Sequence, residues 1–200
     1  MVKRTKGYLL LILLVLTGLA SQVPRATLSG RDRKDLVTQL KESKAQYLQN
    51  IKGLTPNQLT FKATGKLSIL HWMQRQAIAE QNLWLMADTA LKNTNEENHF
   101  GKSQNSALPL LGDKDQEVLN ERLCRLMKTM NAEKVELQFV TNRANVIKYV
   151  KTTTDDPAHH FAQTPLGAVS IRQIISNISS NTDYYNRQIK EVKSQPGYPK

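Results

Sequence analysis

The chain has 200 residues, of which 40% are hydrophobic, so it is long and apolar enough to bury a core and is not a disordered polymer. Its net charge is +11, but the 28 Lys and Arg residues are spread over every segment without interleaved aromatic residues. This pattern indicates a solvated basic surface and argues against a nucleic-acid partner. A single cysteine, Cys124, excludes an intramolecular disulfide and a cysteine-rich metal site.

The first twenty residues have the pattern of a secretory signal peptide. Lys3, Arg4 and Lys6 precede an unbroken apolar run over residues 9–16, and small residues precede a cleavage position after Ala20. The run is shorter than the ~20 apolar residues of a membrane span. We therefore expect an exported protein, periplasmic or extracellular, from which residues 1–20 are removed. The alternative is an uncleaved N-terminal anchor, which is the one route by which we expect membrane contact.

The first predicted helix begins the folded domain. Residues 21–29 are expected to be a linker, and the domain spans residues 30–199. Ser29 can cap the helix with Asp32 at its third position, and Gly53 ends it. The inward stripe of this helix contains Leu36, Leu40, Tyr47, Leu48 and Ile51.

A second long helix follows a connector over residues 54–65. Ser68 is its expected N-cap, and it fades near Lys92. Its inner face is apolar except for Gln76, with Glu80 adjacent, and its other members are Ile69, Trp72, Met73, Ala79, Leu83 and Met86. The polar residues 93–113 are expected to form a long loop.

Two further helices are predicted before the last one, a short helix over residues 114–130 and a long helix over residues 133–152. The inward residues of the long helix are expected to be Phe139, Val140, Ala144, Ile147 and Val150. Pro157 then breaks the chain, residues 158–163 form a single turn, and residues 164–167 link it to the last helix. No segment shows the alternation of a strand.

Residues 170–199 are predicted to form one amphipathic helix capped by Ser170. Its apolar stripe contains Ile171, Ile174, Ile175, Ile178, Ile189 and Val192. Asn181, Tyr185 and Gln188 share the inward face of this helix, because they lie at positions i, i+4 and i+7. Polar groups that face a core either find partners there or line a cavity. Four long helices without a repeat predict an all-α four-helix bundle.

Four segments resemble motifs of the DinB-like superfamily: residues 54–62 (LTPNQLTFK), 67–69 (LSI), 155–167 (DDPAHHFAQTPLG) and 187–199 (RQIKEVKSQPGYP). The resemblance implies an up-down-down-up bundle with a long crossover and an extra short helix. Many similar proteins hold a divalent metal with three histidines. One of these histidines lies on the second helix, and the other two lie four residues apart on the last helix. Some are thiol-dependent transferases or metal-dependent hydrolases, and some dimerise, so a homodimer is an open expectation.

By this resemblance, the three metal-ligand positions fall at Arg75, Asn181 and Tyr185, and none of them is histidine. A guanidinium stays protonated, and a neutral amide or phenol is a poor ligand, so the resemblance predicts a lost metal site and no cofactor. A divalent metal is the alternative. The histidines elsewhere are interpreted as capping, solvated or structural residues: His71, His99, His159 and His160.

Two classes of function are consistent with these residues. The first is an exported, non-catalytic bundle with a degenerate polar pocket that could bind a small anionic ligand through Arg75, with Arg75 paired to Glu80 or bonded to Tyr185 and Asn181. The second is a metal-dependent or acid–base enzyme, of transferase or hydrolase type, in the cleft between the second and last helices. The candidate pocket residues are Arg75, Gln76, Glu80, Asn181, Tyr185 and Gln188.

Overall fold

The computed structural model describes residues 27–92, 125, 129–164 and 167–200. Its helices are α1 (Gly30–Ile51), the short α2 (Pro56–Thr60), α3 (Ile69–Lys92), α4 (Ala132–Thr152) and α5 (Ile171–Lys193). The predicted signal peptide, most of the linker, the loop over residues 93–113 and nearly all of the helix over residues 114–130 lie outside the described residues. Among the described helices, none combines the length and apolar character that a membrane crossing requires.

Hydroxyl caps begin the helices at the predicted positions. The Oγ atoms of Ser29, Ser68 and Ser170 accept hydrogen bonds from the backbone N–H groups three residues later, at 3.1, 3.3 and 3.2 Å. Each cap satisfies one of the N–H groups that have no partner in the first turn of a helix. The turn after α1 places Gly53 at a φ of 70°, a left-handed conformation that glycine adopts without strain. These caps and this stop confirm the predicted helix starts and the end of α1.

Contacts at the helix ends establish the directions of the four long helices. Near the two ends of α1, Asp32 accepts a bond from Arg172 of α5 at 2.7 Å, and Asn50 donates to Asn186 of α5 at 2.7 Å. The helices α1 and α5 are therefore parallel. Arg33, at the start of α1, donates to the carbonyl of Thr153, at the end of α4, so α4 runs the opposite way.

The helices α3 and α4 run in the same direction, because Gln74 donates to the carbonyl of Met130 and Gln138 of α4 donates to Gln81 of α3. The bundle is consequently up-down-down-up, as predicted. Around it, α1 packs against α5 and α4, and α3 packs against the same two helices.

The core consists of two apolar clusters stacked along the bundle axis. The first apolar cluster contains Tyr47, Ile51, Ile69, Trp72, Met73, Val135, Phe139, Tyr185, Ile189 and Val192. The second apolar cluster contains Leu36, Leu40, Leu83, Ala87, Val146, Val150, Ile171, Ile174, Ile175 and Ile178. On each long helix the first cluster occupies one end and the second cluster the other, so one level in the middle of the bundle separates them.

The segment before α5 is a β-hairpin, so the prediction of a single turn and a linker there is wrong. A 3-10 turn over Pro157–His159 is followed by β1 (Phe161–Thr164), which pairs antiparallel with β2 (Gly167–Ser170). Strands of four residues are too short to show an alternating pattern in the sequence. The hairpin is attached to α5, because Ile171 N–H donates to the carbonyl of His160 at 2.8 Å.

The last helix is shorter than predicted, because α5 ends at Lys193 and not at residue 199. Pro196 and Gly197, which has a φ of 80°, turn the chain after the helix. Tyr198 then packs edge to face on Phe61 of the first connector, with ring centres 5.5 Å apart. The C-terminal residues thus cover the base of the bundle instead of extending it.

Candidate functional site

An ion pair lies at the level that separates the two apolar clusters. Arg143 Nε donates to Glu80 Oε1 at 2.7 Å, and Arg143 Nη2 donates to Glu80 Oε2 at 2.9 Å. Both side chains are fully buried. Parallel bonds of this kind join the planar guanidinium to both oxygens of one carboxylate, which is the strongest arrangement of this pair.

The remaining donors of Arg143 also have partners. Nη1 donates to the carbonyl of Leu40 at 2.7 Å and to Ser43 Oγ at 2.8 Å, and Nη2 donates to Thr182 Oγ1 at 2.6 Å. A guanidinium carries five N–H groups, so every one of them is used. The desolvation of this cation is therefore compensated by hydrogen bonds to α1, α3 and α5.

Gln76 and Thr182 complete this set, which we name the central network: Leu40, Ser43, Gln76, Glu80, Arg143 and Thr182. Gln76 Nε2 donates to Glu80 Oε2 at 3.1 Å and to Thr182 Oγ1 at 2.9 Å, and the Thr182 hydroxyl donates to the carbonyl of Ile178 at 2.8 Å. Burial raises the pKa of Glu80, and the charge of Arg143 opposes this rise. Enclosed in this way, Glu80 is not positioned to take a proton from a substrate.

Glu80 is paired with Arg143 rather than with Arg75. Arg143 lies on the same face of α4 as Phe139, Val146 and Val150, which are all fully buried. The residue predicted to face inward there, Ala144, is exposed, so that assignment is wrong by one position. An arginine at helical spacing within an apolar stripe was the signal for a buried cation in the sequence.

Arg75 lies instead against an aromatic cluster at the start of α3. Its guanidinium carbon is 5.7 Å from the centre of the Trp72 ring, within the range of a cation–π contact. The ring of Tyr185 is 6.0 Å and the ring of Tyr184 is 6.3 Å from that of Trp72. Two of the three positions that the resemblance assigns to metal ligands, Arg75 and Tyr185, therefore flank the same indole.

The other candidate residues of α5 divide between the core and its edge. Asn181 and Tyr185 are buried, which confirms that they face inward. Gln188 is partly buried and lines a small pocket of about 20 Å³ beside Trp72 and Lys66. A pocket of this volume has room for about one water molecule. Of the six candidates, two belong to the central network (Gln76 and Glu80), two flank Trp72 (Arg75 and Tyr185) and one lines this pocket (Gln188). Asn181 is buried on α5 but is in none of these three places.

The donor set does not fit a transition metal. Among the residues that the structure describes, no three His, Cys, Asp or Glu side chains lie where they could hold one ion together. His71 Nδ1 is 2.7 Å from Ser68 Oγ at the start of α3, which confirms its capping interpretation, and His160 Nε2 is 3.9 Å from Asp155 Oδ2. A stacked guanidinium, a phenol and an amide offer no anionic or imidazole ligand at the position given by the resemblance.

These features define an up-down-down-up helical bundle whose core is crossed by a buried ionic network. The fold is similar to that of YfiT from Bacillus subtilis, a solved structure described as a probable metal-dependent hydrolase with an unusual four-helix bundle topology. The two structures agree with a TM-score of 0.61 over 88% of this chain and 94% of that chain, at 14% identity. The predicted DinB-like fold is thereby confirmed. No protein-family model and no curated protein matches the chain in sequence.

Proposed function

We propose that the protein is an exported DinB-like bundle that binds a small anionic ligand without a metal ion. The observation that carries this proposal is Arg75, a cation stacked on Trp72 next to the buried Tyr185. A guanidinium carries N–H groups whose planar arrangement matches the geometry of carboxylate and phosphate groups.

The state of Glu80 supports a binding role over a catalytic one. The enzyme hypothesis uses Glu80 and Tyr185 as an acid–base pair. However, the Glu80 carboxylate already accepts three hydrogen bonds, two from Arg143 and one from Gln76, and its side chain has no exposed surface. A general base must reach the proton that it removes, and a carboxylate enclosed by its own partners does not.

Two measurements test the proposal together. Metal analysis of the purified protein, after growth with added zinc, nickel and manganese, is expected to find less than one metal ion per five chains. Inorganic phosphate and acetate, titrated separately, are expected to raise the Tm of the protein, because a ligand that binds only the folded state stabilises it. Arg75→Gln should abolish this rise, and Lys148→Gln on the exposed face of α4 should preserve it. A stoichiometric, chelator-sensitive metal would refute the metal-free proposal.

The second candidate function is a metal-dependent hydrolase, which is favoured by the similarity of the fold to that of YfiT, a probable metal-dependent hydrolase. It requires ligands other than Arg75, Asn181 and Tyr185. Ester hydrolysis that depends on added zinc, nickel or manganese and disappears with a chelator would support it. Export is tested separately by sequencing the N-terminus of the protein from a culture, where a new terminus at Ser21 is the expected result.

A further inference from the structure

Two distant segments of the chain, residues 52–66 and 187–200, meet at the base of the bundle. Gln58 Nε2 donates to the carbonyl of Pro199 at 3.2 Å, and the edge-to-face ring contact described above joins the same two segments. The sequence spreads its basic residues over every segment, and folding brings these two stretches onto one surface.

The two segments carry almost only positive charge. Within them, Glu191 is the one acidic side chain, and it forms an ion pair with Lys66 at 3.2 Å. Lys193 is partly buried and donates to the carbonyl of Asn50, and the other basic side chains are exposed. We name this region the basic surface, and its cations are Lys52, Lys62, Lys66, Arg187, Lys190, Lys193 and Lys200.

The regions around the basic surface have mixed charge. At the opposite end of the bundle, Asp32 pairs with Arg172 and Asp88 pairs with Lys92. The start of α4 also lies at the base, and there the charges alternate: Glu133, Lys134 and Glu136. The basic surface is therefore confined to the part of the base formed by the ends of α1 and α5 and by the connector before α3.

The length of the bundle separates its two ends electrostatically. The 22 residues of α1 extend over about 33 Å. Exposed charges in about 0.1 M salt are screened over about 10 Å. A partner at the base is therefore attracted by the basic surface and is not affected by the mixed charges of the opposite end.

We propose that the basic surface binds the surface of an anionic lipid bilayer. A bilayer presents many anionic headgroups in one plane, so it can neutralise cations that are spread over both segments. Each lysine or arginine that comes close to such a surface raises the partition coefficient about fivefold. This contact is a second route to a membrane, besides the uncleaved N-terminal anchor expected from the sequence, and it does not depend on the proposed anion site at Arg75.

The apolar residues of the base favour a bilayer over a nucleic acid. Leu54, Leu59, Phe61 and Tyr198 are partly exposed among the lysines. Side chains with an apolar body beside charged groups are suited to the boundary between headgroups and acyl chains. A single-stranded nucleic acid would instead require free aromatic faces on which its bases can stack, and the rings of Phe61 and Tyr198 pack on each other.

Vesicles of phosphatidylcholine, with and without about 30% phosphatidylglycerol, test the proposal in a co-sedimentation experiment with the whole protein. In about 0.1 M NaCl, partitioning onto the anionic vesicles is expected to be at least about 20-fold stronger than onto the neutral vesicles. About 0.5 M NaCl should remove most of this difference, because salt screens the attraction. Binding through the apolar residues 9–16 would be similar on both kinds of vesicle and would persist in salt.

A pair of matched triple variants locates the contact on the protein. The first variant removes three exposed cations of the basic surface: Lys52→Gln, Lys62→Gln and Lys200→Gln. The second variant removes three exposed cations at the opposite end: Lys34→Gln, Lys148→Gln and Lys151→Gln. The first should lower partitioning onto anionic vesicles at least about tenfold, and the second less than about threefold. Both should keep the Tm of the wild type, because the replaced side chains are exposed.

Three results would overturn the proposal: equal partitioning onto the two kinds of vesicle, equal losses in the two triple variants, or binding to soluble heparin as tight as binding to vesicles at the same concentration of anionic groups. The last result would mean that the basic surface recognises a linear polyanion. Arg75→Gln should change vesicle binding less than about twofold, since one cation outside the basic surface is removed. Failure of the anion site at Arg75 is thereby distinguished from failure of the basic surface.

Discussion

Glu80 and Arg143 face each other across the middle of the bundle with two parallel hydrogen bonds, between the two apolar clusters. Their position makes this pair the meeting point of all four long helices, since the same guanidinium reaches Leu40, Ser43 and Thr182. A buried pair is weak support for stability as such, because desolvation opposes the attraction. Replacing only one of the two residues is nevertheless expected to lower the free energy of unfolding, because the other charge is then buried without its partner.

Arg143→Met should lower the free energy of unfolding by about 3–5 kcal/mol, because it leaves the buried carboxylate of Glu80 without its counter-ion. The double variant Glu80→Met/Arg143→Met should recover most of this loss, since no unpaired charge then remains in the core. Urea denaturation followed by circular dichroism measures both. If the double variant is as unstable as the sum of the single variants, the two residues are not energetically coupled.

Removal of the side-chain hydroxyl is predicted to change the stability of the protein in opposite directions at Tyr47 and at Thr182. Tyr47 is fully buried and packs on Phe139 with ring centres 4.5 Å apart, and its hydroxyl has no partner among the described residues. Tyr47→Phe should therefore stabilise the protein by about 1 kcal/mol. Thr182→Val should destabilise it by about 1–3 kcal/mol, because Arg143 and Gln76 would each lose an acceptor.

The Tm values of Tyr47→Phe and Thr182→Val, measured by calorimetry, test these two predictions. A change of about 1 kcal/mol in stability corresponds to a shift of about 2–4 °C in the Tm of a chain of this size. A lower Tm for Tyr47→Phe would mean that the hydroxyl has a partner, such as a buried water. Thr182→Ser is the matched control, because it keeps the hydroxyl that the network uses.

The start of α1 should make stability depend on acid pH through Asp32. The hydrogen bond from Ser29, followed by the bond and the charge of Arg172, lowers the pKa of Asp32 below its ordinary value of 3.8. A carboxylate whose pKa is depressed by folding adds stability above the unfolded pKa, and this stability is lost as the pH falls through the folded pKa. Thermal unfolding from about pH 5 to about pH 2 should thus show a smaller loss for Asp32→Asn than for the wild type.

The comparison for this experiment is Asp35→Asn, one turn further along α1, where the carboxylate is exposed and forms no ion pair within the described residues. Its pH dependence should follow the wild type. If Asp35→Asn and Asp32→Asn flatten the curve equally, the contact between Asp32 and Arg172 is not the cause.

Restoring histidines tests whether the metal positions inferred from the resemblance are correct. The triple variant Arg75→His/Asn181→His/Tyr185→His should bind zinc, because residues at i and i+4 of α5 place two imidazoles on one face. At a zinc concentration 100 times its Kd, the expected stabilisation is about 2.7 kcal/mol. Isothermal titration and the zinc-dependent Tm measure it, with the single variant Arg75→His as the control that should bind weakly.

A triple variant that folds but binds no zinc at stoichiometric concentration would show that the three positions do not converge. The proposed loss of a metal site at Arg75, Asn181 and Tyr185 would then be wrong, whatever ligand the protein binds.

Much of the fold was predictable because its signals are local. Ser29, Ser68 and Ser170 mark helix starts through their own side chains, and Gly53 marks a stop through its conformation. The isoleucine stripe of α5 required only helical spacing. The hairpin before α5 was missed because its stability comes from pairing between β1 and β2, which four-residue strands do not reveal in sequence.

The candidate site was predicted less well than the fold. Gln76 and Glu80 are recognisable from the sequence as inward-facing polar residues, but the counter-ion of Glu80 lies on α4, and pairing across 63 positions of the chain leaves no local pattern. Arg143 was overlooked because an arginine is normally assigned to the solvated face of a helix. The sequence alone suggests Arg75 as the partner of Glu80, a role that Arg143 has in the structure. Both residues are cations, and only the packing of the helices decides which one is buried.

The central network also bears on how this sequence can vary. Each of its four side-chain positions outside α1, namely Gln76, Glu80, Arg143 and Thr182, is bonded to at least two of the others. A change at one of them therefore has to be accompanied by changes on other helices, whereas residues of either apolar cluster can be exchanged for others of similar volume. Relatives that lack Arg143 should differ at Glu80 as well, and their bundles would have one continuous apolar core.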